Sequence, residues 1–189
     1  MTAELYAIGL VVVLAAMYFF FAPMAGAFVK FRGKRVIICP ETLRAAAVDV
    51  DVAHAALTAV AGNPDLRLTT CTRWPERKDC GQECLLQIEI SPEGCLARTM
   101  LEDWYRGKKC VLCRVEIGEI YWSDHKPAML SPQGRITECG DISPEQLPDV
   151  FVTHQPVCWA CAVTASLLGS HPEVAVDRSR IRPPIVRGV

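Results

Sequence analysis

The chain has 189 residues, with 20 Lys and Arg against 21 Asp and Glu, 51% apolar residues and ten cysteines. That length accommodates one ordinary domain and an appendage but excludes a large multidomain enzyme, and the apolar share excludes wholesale disorder. Charge is unevenly placed: residues 36–176 carry a net −7, so the body lacks the basic footprint that sequence-independent nucleic-acid binding requires, and no nucleic-acid partner is expected.

Leu5 to Val29 is a run of 25 residues without formal charge. As a helix rising about 1.5 Å per residue it extends roughly 37 Å, enough to cross a ~30 Å hydrocarbon core. No polar face interrupts it. Pro23 lies in its last quarter, where a kink is tolerated, and Tyr6, Tyr18 and the Phe19–Phe21 run suit interfacial positions. A cleavable signal peptide is the rival reading, because Ala25-Gly26-Ala27 resembles a cleavage site. The first nine residues hold no Lys or Arg, however, and the apolar run exceeds a usual signal core, which favours an uncleaved anchor over 5–29. Lys30, Arg32, Lys34 and Arg35 form a basic juxtamembrane link over 30–35, a bias that places the C-terminal domain in the cytoplasm.

The body, 36–170, reads as a cysteine-rich α+β domain of short strands and helices. Val36 to Cys39 runs into a turn at Pro40, Val48 to Val52 alternates as a partner strand, and Asp51 to Ala61 reads as a helix carrying His54. Leu66 to Cys71 is a further strand. Gln82 to Ile90 and Pro92 to Tyr105 read as helices, the second holding Cys95 as a core residue. Val115 to Trp122 has strand character. Ala128-Met-Leu and Arg135-Ile-Thr flank a turn at Pro132 to Gly134, and Cys139 falls beside Gly140 near a strand end. Ala162 to Leu168 reads as a short helix ending at Gly169, and 171–189 as a Pro/Arg-rich extended tail.

In the reducing cytosol, ten cysteines point to metal ligation or redox chemistry before disulfides; on the exported side the same even count would read as five bridges. The clearest pattern is Cys110-Val-Leu-Cys113 with Cys158-Trp-Ala-Cys161. Tight turns bring the sulfurs of each CxxC pair to one side, and two pairs supply four thiolates to a tetrahedral ion. The intervening 44 residues exceed the usual spacing. A second set is Cys39, Cys71, Cys80 and Cys84, whose irregular spacing fits either four ligands or free buried thiols. Lys108, Lys109 and Arg114 flank the first set, and Arg73, Arg77 and Lys78 flank the second; these positions fit compensation of thiolate charge or an ordinary solvated cluster.

Knuckle, hairpin and a helix bearing the second CxxC in its first turn together resemble the treble-clef and zinc-ribbon-like modules that bind a metal through four cysteines, over about 108–169. Arg114 and Ala162 stand where such knuckles often carry a small residue. The resemblance implies a structural ion, with the helix N-terminus favouring thiolate. The stretch Arg73-Trp-Pro-Glu-Arg77, continuing through Cys80-Gly-Gln-Glu-Cys84-Leu-Leu-Gln-Ile-Glu89, is similar to segments of uncharacterised single-pass bacterial membrane proteins. It implies an inner-membrane location and no known activity.

Zinc is the expected ion, with iron or an iron–sulfur cluster as the alternative that would make a tethered electron carrier. Haem attachment is excluded because neither CxxC is followed by His. Phe151-Val-Thr before Cys158-Cys161 and a helix also resembles the strand–CxxC–helix of thioredoxin-like proteins, although 28 residues after Cys161 cannot complete that fold. His54, His125, His154 and His171 read as surface or loop residues, with His154 an alternative ligand. Phosphate-binding, metalloprotease and nucleophile-elbow motifs are absent, and no catalytic residue is assigned. The chain therefore reads as a membrane-anchored structural or interaction module, with the lipid bilayer and a protein of a membrane complex as partners.

Overall fold

A computed structural model describes residues 2–76, 79–124 and 126–170. The expectations for Arg77, Lys78, His125, His171 and the 171–189 tail lie outside the described residues. The chain divides into two units: the first runs to Leu101 and takes in Ser143–Pro148, and the second comprises Glu102–Ile142 and continues from Asp149.

The first unit begins with helix α1, Thr2–Phe31, unbroken at Pro23. Its stretch Tyr6–Phe31 is long and apolar enough to cross a membrane. The helix does not stop at Val29: Ala27 and Phe31 are buried in the unit's core cluster with Ile37, Ala46, Val48 and Ala55. Basic residues 30–35 are thus shared between the helix end and the first strand. The device that joins them is Arg35, the one fully buried charged side chain among the described residues. Its Nη1 donates to the carbonyls of Phe31 (2.5 Å), Gly33 (3.0 Å) and Arg32 (3.4 Å), and its Nη2 to that of Lys30 (2.5 Å). Helix C-termini leave carbonyls without intrahelical donors, and one guanidinium fork satisfies them here. Burial draws the Arg35 pKa down, opposed by the nearby Cys95 thiol.

Strands β1 (Arg35–Ile38), β2 (Ala45–Val50) and β3 (Leu68–Cys71) form an antiparallel sheet in the order β1-β2-β3. Ile38 pairs with Ala45 and Val48 with Cys71, and a register shift falls between Asp49 and Val50. The partner strand ends at Val50, not Val52, because Asp51 caps helix α2 (Val52–Thr58) by accepting from the His54 backbone N–H at 3.0 Å. A 3-10 turn, Ala59–Ala61, completes the expected helix. Helix α3 covers Leu85–Ile90 and starts later than expected, since Gln82 is held at φ 58°. Helix α4 covers Ala97–Tyr105. Its start is displaced from Pro92 because residues 95–97 are committed to the edge of β1: Val36 N–H donates to Cys95 O (2.7 Å) and Ala97 N–H to Lys34 O (3.0 Å).

The second unit is built on β4 (Ala128–Leu130), paired antiparallel with both β5 (Ile136–Glu138) and β6 (Gln155–Val157). The β4–β5 turn closes with Ser131 N–H on Arg135 O (2.8 Å), and Gly134 takes φ 80°, a conformation that favours glycine. Two expectations are corrected. Val115 to Trp122 is not a ladder strand; only single residues in it are bridged, Glu116 with Lys109 and, further on, Tyr121, and Ile117 N–H donates to Lys108 O (2.9 Å). Phe151 to Thr153 is helical, the end of α5 (Leu147–Thr153), so the thioredoxin-like strand is instead β6, antiparallel to its neighbour. Helix α6, Trp159–Ser170, follows directly. Ala128, Val157, Ala162 and Cys110 form a buried cluster in this unit, where Met129, Cys139 and Val150 are buried as well, and buried Tyr105 donates its hydroxyl to Ala128 O at 2.8 Å.

Candidate metal centre

The ligand atoms of Cys110, Cys113, Cys158 and Cys161 all lie within 4.8 Å of one another. Two local structures bring them together. The first is a knuckle in which Cys110 N–H donates to Val115 O (2.8 Å) and Arg114 N–H to Cys110 O (2.9 Å), turning the chain back on itself. Arg114 completes the turn at φ 65°, the left-handed position where glycine is usual, so the expected small residue is missing but its conformation is not. The second is the start of α6. Cys158 precedes the helix, Ala162 N–H donates to Cys158 O (3.0 Å), and Cys161 falls in the first turn. Val111 N–H donates to Pro156 O (2.9 Å), tying knuckle to β6. The 44-residue gap is filled by the β4–β5 hairpin, two 3-10 turns and α5.

The sulfurs differ in environment. Burial pushes the Cys110 thiol up, but N–H groups of Cys113, Cys158 and Leu112 and the Cys113 thiol outweigh it and bring it down to about 6. Cys161 is pushed up to about 12, first by burial and then by the thiols of Cys158, Cys113 and Cys110; burial also raises Cys158. The N–H groups that favour the Cys110 thiolate come from both the knuckle and, through Cys158, the start of α6. Of the flanking cations, Lys108 sits over the Trp104 ring, 3.6 Å from its centroid. Four sulfurs that cannot all ionise side by side can do so around a divalent cation, which neutralises half of their charge.

The other candidates fall elsewhere. Cys39, Cys71 and Cys84 lie in or against the first unit's core cluster, and Cys80 acts electrostatically on Cys84; among the described residues they form no group as tight as the Cys110 set. Cys95 donates to Gln87 O (3.6 Å) within that core. Cys139 is buried in the second unit, with its thiol pushed up to about 11 by burial. His154 contacts Thr153 Oγ1 (2.8 Å) and His54 contacts Asp65 (2.7 Å), so neither joins the cluster. Arg73 pairs with Glu76 (3.3 Å) and donates to Ala45 O (3.1 Å).

The geometry suits a tetrahedral thiophilic ion held by two separate elements, one of them a helix start. No protein-family model, curated protein or solved structure matches this chain, and the chemistry of the site rests on its own residues.

Proposed function

We propose that the chain is a single-pass membrane protein whose cytoplasmic domain carries a structural zinc on Cys110, Cys113, Cys158 and Cys161, in a treble-clef-like arrangement. The observation that carries this reading is the convergence of the four sulfurs from knuckle and helix within 4.8 Å. The ligands come from two elements far apart in sequence, the knuckle and the start of α6, and an ion between them would staple the unit. The basic residues after α1 support a C-terminal domain on the cytoplasmic side, and the resemblance of residues 73–89 to bacterial single-pass membrane proteins supports an inner-membrane location. The role is that of an interaction module that docks a protein of a membrane complex.

The test is elemental analysis of full-length protein purified in detergent under reducing conditions. Cys113→Ser should lower zinc by one equivalent per chain and speed hydrogen exchange over 108–142 and 149–169, because ion binding is coupled to folding. Unchanged zinc and unchanged exchange would refute the assignment. A coloured preparation that bleaches on reduction would replace zinc by iron and make the protein an electron carrier.

A further inference from the structure

We infer that the first unit carries its own tetrathiolate site for a thiophilic divalent cation, formed by Cys39, Cys71, Cys80 and Cys84. The inference does not depend on the Cys110 cluster, but the same local device recurs at both places. At Cys110 the sulfur accepts backbone N–H groups two and three residues ahead, those of Leu112 and Cys113. Cys39 heads the same backbone turn: Cys39 N–H donates to Arg44 O (2.9 Å) and Leu43 N–H to Cys39 O (2.8 Å), as Cys110 N–H does to Val115 O (2.8 Å) and Arg114 N–H to Cys110 O (2.9 Å). Cys71 Sγ accepts from Arg73 N–H at 3.4 Å, and Cys80 Sγ from Gln82 N–H at 3.4 Å. Amide groups aimed at sulfur favour the thiolate, the form that ligates metals.

Backbone conformation repeats the pattern. Among the described residues, three that are not glycine have a left-handed φ: Leu43 (53°), Gln82 (58°) and Arg114 (65°). Leu43 ends the turn that begins at Cys39, where its N–H donates to Cys39 O at 2.8 Å. Arg114 ends the Cys110 knuckle in the same way, and Gln82 lies two residues after Cys80, whose sulfur its N–H meets. Such conformations cost about 1 kcal/mol or more and persist where the surroundings demand them. Each one here follows a cysteine by two or four residues.

The four residues arrive from separate elements: Cys39 just after β1, Cys71 at the end of β3, Cys80 on the following turn and Cys84 at the start of α3. Cys39 and Cys84 are buried in one core cluster and Cys71 packs against it. Cys84 feels all three of the others, in the order Cys80, Cys71, Cys39. Cys95, in the same region, is excluded because its thiol is spent on Gln87 O. The four are gathered more loosely than the Cys110 set, and an ion would draw them in as it displaced the thiol protons.

Cobalt(II) is the probe, since a tetrahedral cobalt–thiolate centre gives a charge-transfer band that zinc lacks. Metal-stripped full-length protein in detergent, kept reduced, should show that band rising linearly to two equivalents. Saturation at one equivalent that survives Cys71→Ser/Cys80→Ser overturns the inference, whereas saturation at one that this variant abolishes overturns the Cys110 centre instead. The double variant Cys71→Ser/Cys80→Ser should then saturate at one, as should Cys110→Ser/Cys113→Ser. If the Cys71/Cys80 variant still takes two, the second site is not these residues and the inference falls. If only the Cys110/Cys113 variant still takes two, the proposed zinc centre falls and this one stands.

Discussion

Replacing Arg35 by methionine removes the guanidinium that closes α1 while keeping side-chain bulk. Its two shortest bonds, to Lys30 O and Phe31 O at 2.5 Å, carry most of the effect. Hydrogen bonds from a charged donor contribute about 1.5–3 kcal/mol each. Lys30 is exposed, so its carbonyl recovers part of the loss through water, whereas Phe31 is buried. Taking the low end of that range for each bond gives a destabilisation of about 3 kcal/mol, in line with breaking a buried charged network. For a unit of this size that lowers Tm by on the order of 10 °C. Thermal unfolding in detergent micelles measures the shift, and hydrogen exchange over residues 28–38 locates it. Arg35→Lys should recover about half, because an ammonium keeps the charge but cannot span both carbonyls. A methionine variant within about 0.5 kcal/mol of the parent, with unchanged exchange at the helix end, would refute the clamp.

Arg114→Gly should stabilise the ion-loaded second unit by roughly 0.5 kcal/mol, the left-handed strain of about 1–2 kcal/mol less the entropy cost of glycine; chemical denaturation decides, and a loss of stability contradicts the strain. Tyr105→Phe leaves Ala128 O without the hydroxyl donor and should cost about 1–2 kcal/mol near neutral pH. Burial, and then Cys139, raise the Tyr105 pKa above its ordinary value of 10.0. A raised acid contributes stability that is complete below the unfolded pKa and is lost as pH climbs above it. Wild-type protein should therefore lose stability above about pH 10, the ordinary tyrosine pKa, more steeply than the Phe variant. Parallel Tm profiles through that range would disprove the role.

Much of the centre was legible because CxxC spacing is a short-range code: Cys110/Cys113 and Cys158/Cys161 each need one turn to converge. The hairpin was legible from its apolar strands and Gly134. Other features were hidden for identifiable reasons. The knuckle's left-handed residue is Arg114, so composition concealed a conformation that the fold imposes. Val115 to Trp122 has strand propensity, but its bridging is confined to single residues, Glu116 and Tyr121, and propensity without a continuous ladder makes no strand. The end of α1 escaped notice because lipid and protein core both select apolar side chains. Ala27 and Phe31 therefore look the same in sequence as residues facing hydrocarbon.

That burial dictates where the polypeptide can be divided. Ala27 and Phe31 turn inward and Met24 is half-buried, while Tyr6 to Phe21 is exposed. A water-soluble fragment suited to spectroscopy must therefore begin close to Pro23. A cut at the charge boundary, before Lys30, would strip Ala27 from the hydrophobic interior and leave Arg35 with less than one helical turn to hold.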